Sequence, residues 1–187
     1  MNVNNDMSTM KSWFQYRTNN HILLVRKYCR LIFAYDRQRF PSIVAKGKLH
    51  DKSKFKEPEL TPYEVIAWMY KCKAENVNFE VPEEIKDKMN EATLHHITTN
   101  HHHPEFWSIT QVNLINRDDR DKIERLIDAT SMPDISIAEM CADWMAMSEE
   151  KGGSPLDWAL SVINKRWSFT EAQVKLIYEL LSLYDNK

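Results

Sequence analysis

The chain predicts an all-α fold, a single helical bundle, on three observations. Only three glycines punctuate 187 residues, and tight hairpins usually need residues that accept positive φ, so a turn-rich sheet is disfavoured. Apolar side chains recur at helical spacing over long stretches, and helix-start signals precede several of them. The length suits one domain with one core, so residues up to about Met10 read as a tail and 11–187 as a single helical domain.

The elements follow in order. A first helix is expected from near Asn20 to about Tyr35, because His21, Val25, Tyr28 and Ile32 repeat on one stripe. His21 therefore lies on the buried side. Thr61-Pro62-Tyr63-Glu64 announces a second helix to about Ala74, with Thr61 as cap, Pro62 in the first turn and Glu64 closing a capping box. Val81-Pro82-Glu83-Glu84 opens a third, acidic at its start as the helix dipole prefers, whose inward face carries Ile85, Met89, Ala92 and His96. The run His101-His102-His103-Pro104-Glu105 reads as a loop, since proline disfavours α geometry in the residue before it. Further helices are expected at roughly Asp118–Thr130, Pro133–Ser148, Pro155–Lys165 and Glu171–Tyr184, the last with Thr170 and Gln173 in capping-box positions. Lys151-Gly152-Gly153-Ser154 is a flexible joint.

Composition excludes several classes. The formal net charge is −2 with both signs interspersed, which argues against nucleic acid as the main partner. No apolar run is long enough for a signal peptide or a membrane span, so no membrane partner is expected. Cys29, Cys72 and Cys141 are odd in number and far apart, which suits buried free thiols in a reducing compartment; a cytoplasmic location is the expectation, the host's cytoplasm if the chain is phage-encoded. There is no Gly-rich phosphate loop, Gly-x-Ser-x-Gly elbow or His-Glu-x-x-His motif.

The chemistry concentrates in histidine and aspartate. His95, His96, His101, His102 and His103 fall within nine residues. Neutral imidazole is the commonest metal ligand and carboxylate its hard partner. Helical phase places His96 with Ile85, Met89 and Ala92, whereas His95 follows Glu84, Lys88 and Glu91 on the solvated side. His50 and Asp51 are adjacent, so both can reach one centre only near a helix end or in irregular backbone, and Gly47 makes such a break plausible. Asp143 lies among apolar neighbours Met140 and Met147, where a carboxylate must be paired, hydrogen-bonded or metal-bound; Glu139, one turn earlier, is a candidate supporting partner.

The succession His21, His50-Asp51, His96, His102, Asp143 over successive helices resembles the HD (His-Asp) superfamily of metal-dependent phosphohydrolases. Leu49-His50-Asp51-Lys52-Ser53-Lys54-Phe55, the stretch from His96 through Asn100 to His102-His103-Pro104-Glu105-Phe106-Trp107, and Met132-Pro133 through Asp143-Trp144 further resemble a family of uncharacterised proteins common in bacteriophages and bacteria. The superfamily resemblance implies a helical bundle holding one or two divalent ions (Mn, Mg, Co, Ni, Zn or Fe). His21, His50, Asp51 and Asp143 form the basic set, Asp51 able to bridge, with His96 and His102 completing a second ion and His103 an alternative to His102. Asp51 and Lys54 are then the catalytic candidates. Lys54 is placed to neutralise a phosphate, and Asn100, His103 and Glu105 to orient water or substrate.

The implied activity is hydrolysis of a phosphoester in a nucleotide or another small phosphorylated metabolite by a metal-activated water. Two other classes stay open: a di-iron oxygenase on the same ligands, and an interaction protein with a structural metal, using an aromatic surface that includes Trp107, Trp144, Trp158 and Trp167. Self-association into a homo-oligomer is also open.

Overall fold

A computed structural model describes residues 7–109, 112 and 126–185. Among these, seven α-helices carry the fold: α1 (Met7–Tyr35), α2 (Ile43–Leu49), α3 (Leu60–Ala74), α4 (Glu83–Thr99), α5 (Asp134–Lys151), α6 (Pro155–Val162) and α7 (Glu171–Leu181). The all-α expectation holds. Two-residue strands β1 (Ile127–Asp128) and β2 (Trp167–Ser168) pair in parallel, with Ile127 opposite Trp167.

α1 is the spine, packed on α5, α2 and α3, while α4 leans on α3 and α7 on α5. It begins well before Asn20, because Met10, Phe14 and Thr18 continue the stripe of His21, Val25 and Ile32 back toward the N-terminus. Met10, predicted to belong to a tail, is therefore part of the core. Phe14, Val25 and Ile32 are almost fully buried, each worth roughly 1.5–3 kcal/mol of removed apolar surface. The main core joins Tyr28 and Ile32 of α1, Phe40, Ile43 of α2, Ile137, Met140 and Met145 of α5, and Leu176 and Ile177 of α7.

Other boundaries moved for local reasons. α2 has no counterpart among the predicted helices, and Gly47 lies inside it rather than breaking it. A Cβ on Gly47 would stand 2.7 Å from Cys29 Sγ, so the glycine is there for the close approach of α2 to α1. α3 starts at Leu60 with Glu59 at its N-cap; Thr61 does not cap it and instead donates to Glu57 Oε1 at 2.6 Å. α6 stops at Val162, because the chain turns through Asn164 at φ 59 to reach β2. The helix predicted at Asp118–Thr130 lies largely outside the described residues; its last part, from Leu126, is β1 and a turn in which Asp128 accepts from Thr130. One expectation is met closely, the Thr170–Gln173 capping box that starts α7; α5 runs past the predicted end at Ser148 to Lys151, where Gly152, at φ 72, ends it.

The three cysteines are buried and free. Trp68, Trp144 and Trp167 are core, the last two stacked at 5.8 Å, so of the four tryptophans offered for an aromatic surface only Trp158 is exposed. No helix among the described residues is long and apolar enough to cross a membrane.

Candidate metal centre

Four separate stretches deliver side chains to one place. His21 comes from the middle of α1, His50 from the residue that caps α2, Asp51 from the next residue, His96 from the last turn of α4, His102 from the turn after it, and Asp143 from the middle of α5. The adjacency of His50 and Asp51 is resolved by the backbone. His50 is extended at ψ 133 and Asp51 turns left-handed at φ 57, ψ 14, which lets two neighbours aim at one point. Aspartate tolerates that conformation better than most residues, and strained φ values concentrate at functional positions.

Asp51 stands at the centre. Its Oδ1 lies 3.3 Å from His96 Nε2 and 3.7 Å from both His50 Nε2 and His102 Nε2; its Oδ2 lies 3.9 Å from His21 Nε2. Asp143 Oδ1 is 3.0 Å from His21 Nε2 and 3.8 Å from His50 Nε2. Three overlapping sets have ligand atoms close enough for one ion: His21, His50 and Asp143; His50, Asp51 and His102; His96, His102 and His103. All six predicted ligands thus converge, and His103, half-buried with its ring 4.3 Å from that of His102, stands beside them.

The outer edges of the rings explain why the inner nitrogens face inward. His96 Nδ1 is 2.8 Å from Glu59 Oε2, His50 Nδ1 is 3.3 Å from Glu139 Oε1, and His21 Nδ1 is 3.4 Å from Glu150 Oε1. For His96 and His50 a carboxylate there keeps the proton on Nδ1 and leaves the Nε2 lone pair for a cation, whereas His21, with Asp143 on its Nε2 side, is held in its charged form. Of the three glutamates, only Glu139 had been singled out from the sequence. Glu150 was findable, lying two turns beyond Asp143 on the same helix face, but Glu59 sits in a proline-flanked segment with no periodic signal.

Other predicted residues resolve as follows. Lys54 reaches the centre, but as an ion pair: its Nζ donates to Asp51 Oδ2 at 2.6 Å. Asn100 lies on the outer side of His96, its amide donating to the His96 carbonyl at 2.9 Å and to Ser53 at 3.1 Å, so it braces the histidine. Glu105 does not reach the centre; it accepts from Arg166 and from the Trp167 indole, both at 3.1 Å. His95 stays outside, held by Glu59 at 2.8 Å, and exposed His101 packs on Phe106.

Charge in the cluster is strongly polarised. Burial disfavours the charge on His21, but hydrogen bonds to Asp143 and Glu150 outweigh it and raise its pKa to about 9. Burial, with His50 beside it, pushes His102 down to about 3, which leaves it a neutral ligand. Burial would raise Glu139, yet the His50 hydrogen bond, with His102 and Lys46 close by, brings it to about 2. For Asp51 too, burial is outweighed, first by Lys54 and then by His50 and His96, and its pKa falls well below the usual range.

The donor set fits a divalent cation. His50 Nε2 and Asp51 Oδ1 are buried without a hydrogen-bond partner, an arrangement that costs free energy unless something lies between them. Atoms that each bind an ion at about 2.0–2.2 Å stand roughly 3–3.6 Å apart, close to the spacings observed. Buried His/Asp clusters able to hold a metal ion are therefore present.

No curated protein and no solved structure matches this chain. One family profile matches residues 10–183, nearly the whole length, and its description is a family of unknown function. The chain belongs to that family, DUF5662.

Proposed function

We propose that this protein is a metal-dependent phosphohydrolase of HD type, acting on a nucleotide or another small phosphorylated metabolite. The observation that carries the reading is the position of Asp51: its Oδ1 faces the Nε2 atoms of His50, His96 and His102, and its Oδ2, paired with Lys54, lies 3.9 Å from His21 Nε2. His21, His50, Asp51 and Asp143 would hold one ion, and Asp51, His96 and His102 a second, with His103 adjacent. A divalent ion there supplies a Lewis acid and a water acidic enough to act as a nucleophile near neutral pH.

The chain's own residues supply access and anion recognition. The Nε2-bearing rings are at most 4% exposed, whereas the side chains of Asp143 and Lys54 are 18% and 13% exposed and Arg17, one turn before His21, is 34% exposed. The cluster therefore meets solvent beside two cations. Lys54 lies near enough to Arg17 to feel its charge, and a guanidinium with an ammonium suits the oxygens of a phosphoryl group. Glu59, Glu139 and Glu150 fix the rings, so the geometry needs little reordering when substrate arrives.

The test is phosphate release by untagged protein across a panel of nucleotides and phosphorylated metabolites with Mn, Mg, Co, Ni, Zn or Fe supplied. Asp51→Asn suits the left-handed backbone and should abolish release, while His101→Ala should retain it. Equal behaviour of the two variants, or oxygen consumption with iron in place of phosphate release, would contradict the reading.

A further inference from the structure

We infer that Glu139 ties the two halves of the cluster together, so that they take up metal as one unit. The inference rests on the reading above that the cluster is a metal centre, and it deepens that reading by assigning a positioning residue. His50 groups with His21 and Asp143, His102 with His96 and His103, and the two histidines with Asp51 in a third set that overlaps both halves. A single atom serves one histidine of each half: Glu139 Oε1 stands 3.3 Å from His50 Nδ1 and 3.7 Å from His102 Nδ1. The two rings are themselves 4.1 Å apart.

The other outer carboxylates lack this double role. Glu150 stands beside one histidine, His21, and pairs with Arg17, and Glu59 stands beside His96 and the outlying His95. Glu139 is also held from behind. It is 5% exposed, and its Oε2 accepts from Lys46 Nζ at 3.1 Å, so α2 grips the carboxylate that α5 carries. His50 Nδ1 is within hydrogen-bond reach of that oxygen and His102 Nδ1 faces it from just beyond, so an Nδ1 proton on each ring is drawn to one carboxylate oxygen and both Nε2 atoms are left facing inward.

Filling either half fixes its own histidine against Glu139 and so orders the carboxylate. The second half then meets an already ordered partner, which lowers the ordering cost of its histidine. By reciprocity the same coupling acts in the other direction. Asp51, whose Oδ1 is equidistant at 3.7 Å from His50 Nε2 and His102 Nε2, places negative charge between the halves and reduces the repulsion between two cations.

Titration of metal-stripped, untagged protein with cobalt(II), read by visible absorption and calorimetry, tests this. Wild type should take up two equivalents in one cooperative transition. Glu139→Gln should split it into two steps, each weaker by about 10–100-fold, the range for lost outer-shell partners. Glu59→Gln, which leaves Glu139 in place, should weaken uptake while keeping the single transition. Lys46→Gln, which leaves every cluster side chain in place, should weaken both steps by smaller, similar factors, and it keeps the question answerable if Glu139→Gln folds poorly. A single transition retained in Glu139→Gln, an effect on one step only, or uptake of one equivalent by wild type would overturn the inference while leaving a metal centre in place. No cobalt uptake by wild type would sink both.

Discussion

The two halves of the cluster are built differently. His21, His50 and Asp143 come from α1, the end of α2 and the middle of α5, elements that share the main core and are far apart in sequence. His96, His102 and His103 come from one short stretch, the end of α4 and the turn after it. The first half is fixed by long-range packing and meets solvent at Asp143; the second is fixed by local turn geometry, with His96 braced by Glu59, Asn100 and Ser53. Under the proposed function this difference is a division of labour: the half packed into the main core and meeting solvent at Asp143 receives the anion, and the locally assembled half completes the charge.

The largest expected effect breaks the open half. Asp143→Asn should reduce phosphate release to background, whereas His103→Gln, at the edge of the other half, should leave measurable activity; the reverse order would contradict the division. Next is metal removal. A ligand held at about 100 times its Kd stabilises by about 2.7 kcal/mol, and at about 2–4 °C per kcal/mol for a chain of this size, chelation should lower Tm by roughly 5–11 °C. An unchanged melting curve would show that the buried cluster does not need a cation.

Packing behind the first half gives a smaller effect. Gly47→Ala pushes a methyl group against Cys29 where α2 meets α1, and overpacking of this kind costs about 1–3 kcal/mol. Thermal unfolding reads the loss, and cobalt titration should show the single transition weakened. Burial, with the charges of Glu139 and Asp143, pushes the Cys29 thiol up to about 12. It should resist iodoacetamide at pH 8 in the folded chain and react only in denaturant, as mass spectrometry can follow. Rapid alkylation of folded protein would mean that the core behind His50 is open.

Much of this was legible in the sequence where a side chain announces its own environment. His21 and His96 share stripes with apolar residues, and Asp143 sits among methionines, so helical phase alone turned them inward. The need for irregular backbone at His50-Asp51 followed from the hundred-degree step of a helix. What the sequence concealed depends on long-range encounters. Gly47 read as a break because its real constraint, Cys29, lies 18 positions away. Thr61 read as a cap because its pattern matched one, but the helix begins a residue earlier, and Glu59 at the N-cap turns its side chain to His95 and His96. The pairing of Lys54 with Asp51 had no signal in the sequence, because the left-handed turn creates that contact.

Elemental analysis of untagged protein, purified without added metal and compared with Asp51→Asn and His101→Ala, tests the central claim most directly. Near-stoichiometric divalent metal in wild type and His101→Ala, and background metal in Asp51→Asn, is the predicted result. Metal-free wild type that also fails to take up any divalent ion, or equal metal in all three proteins, would contradict the account.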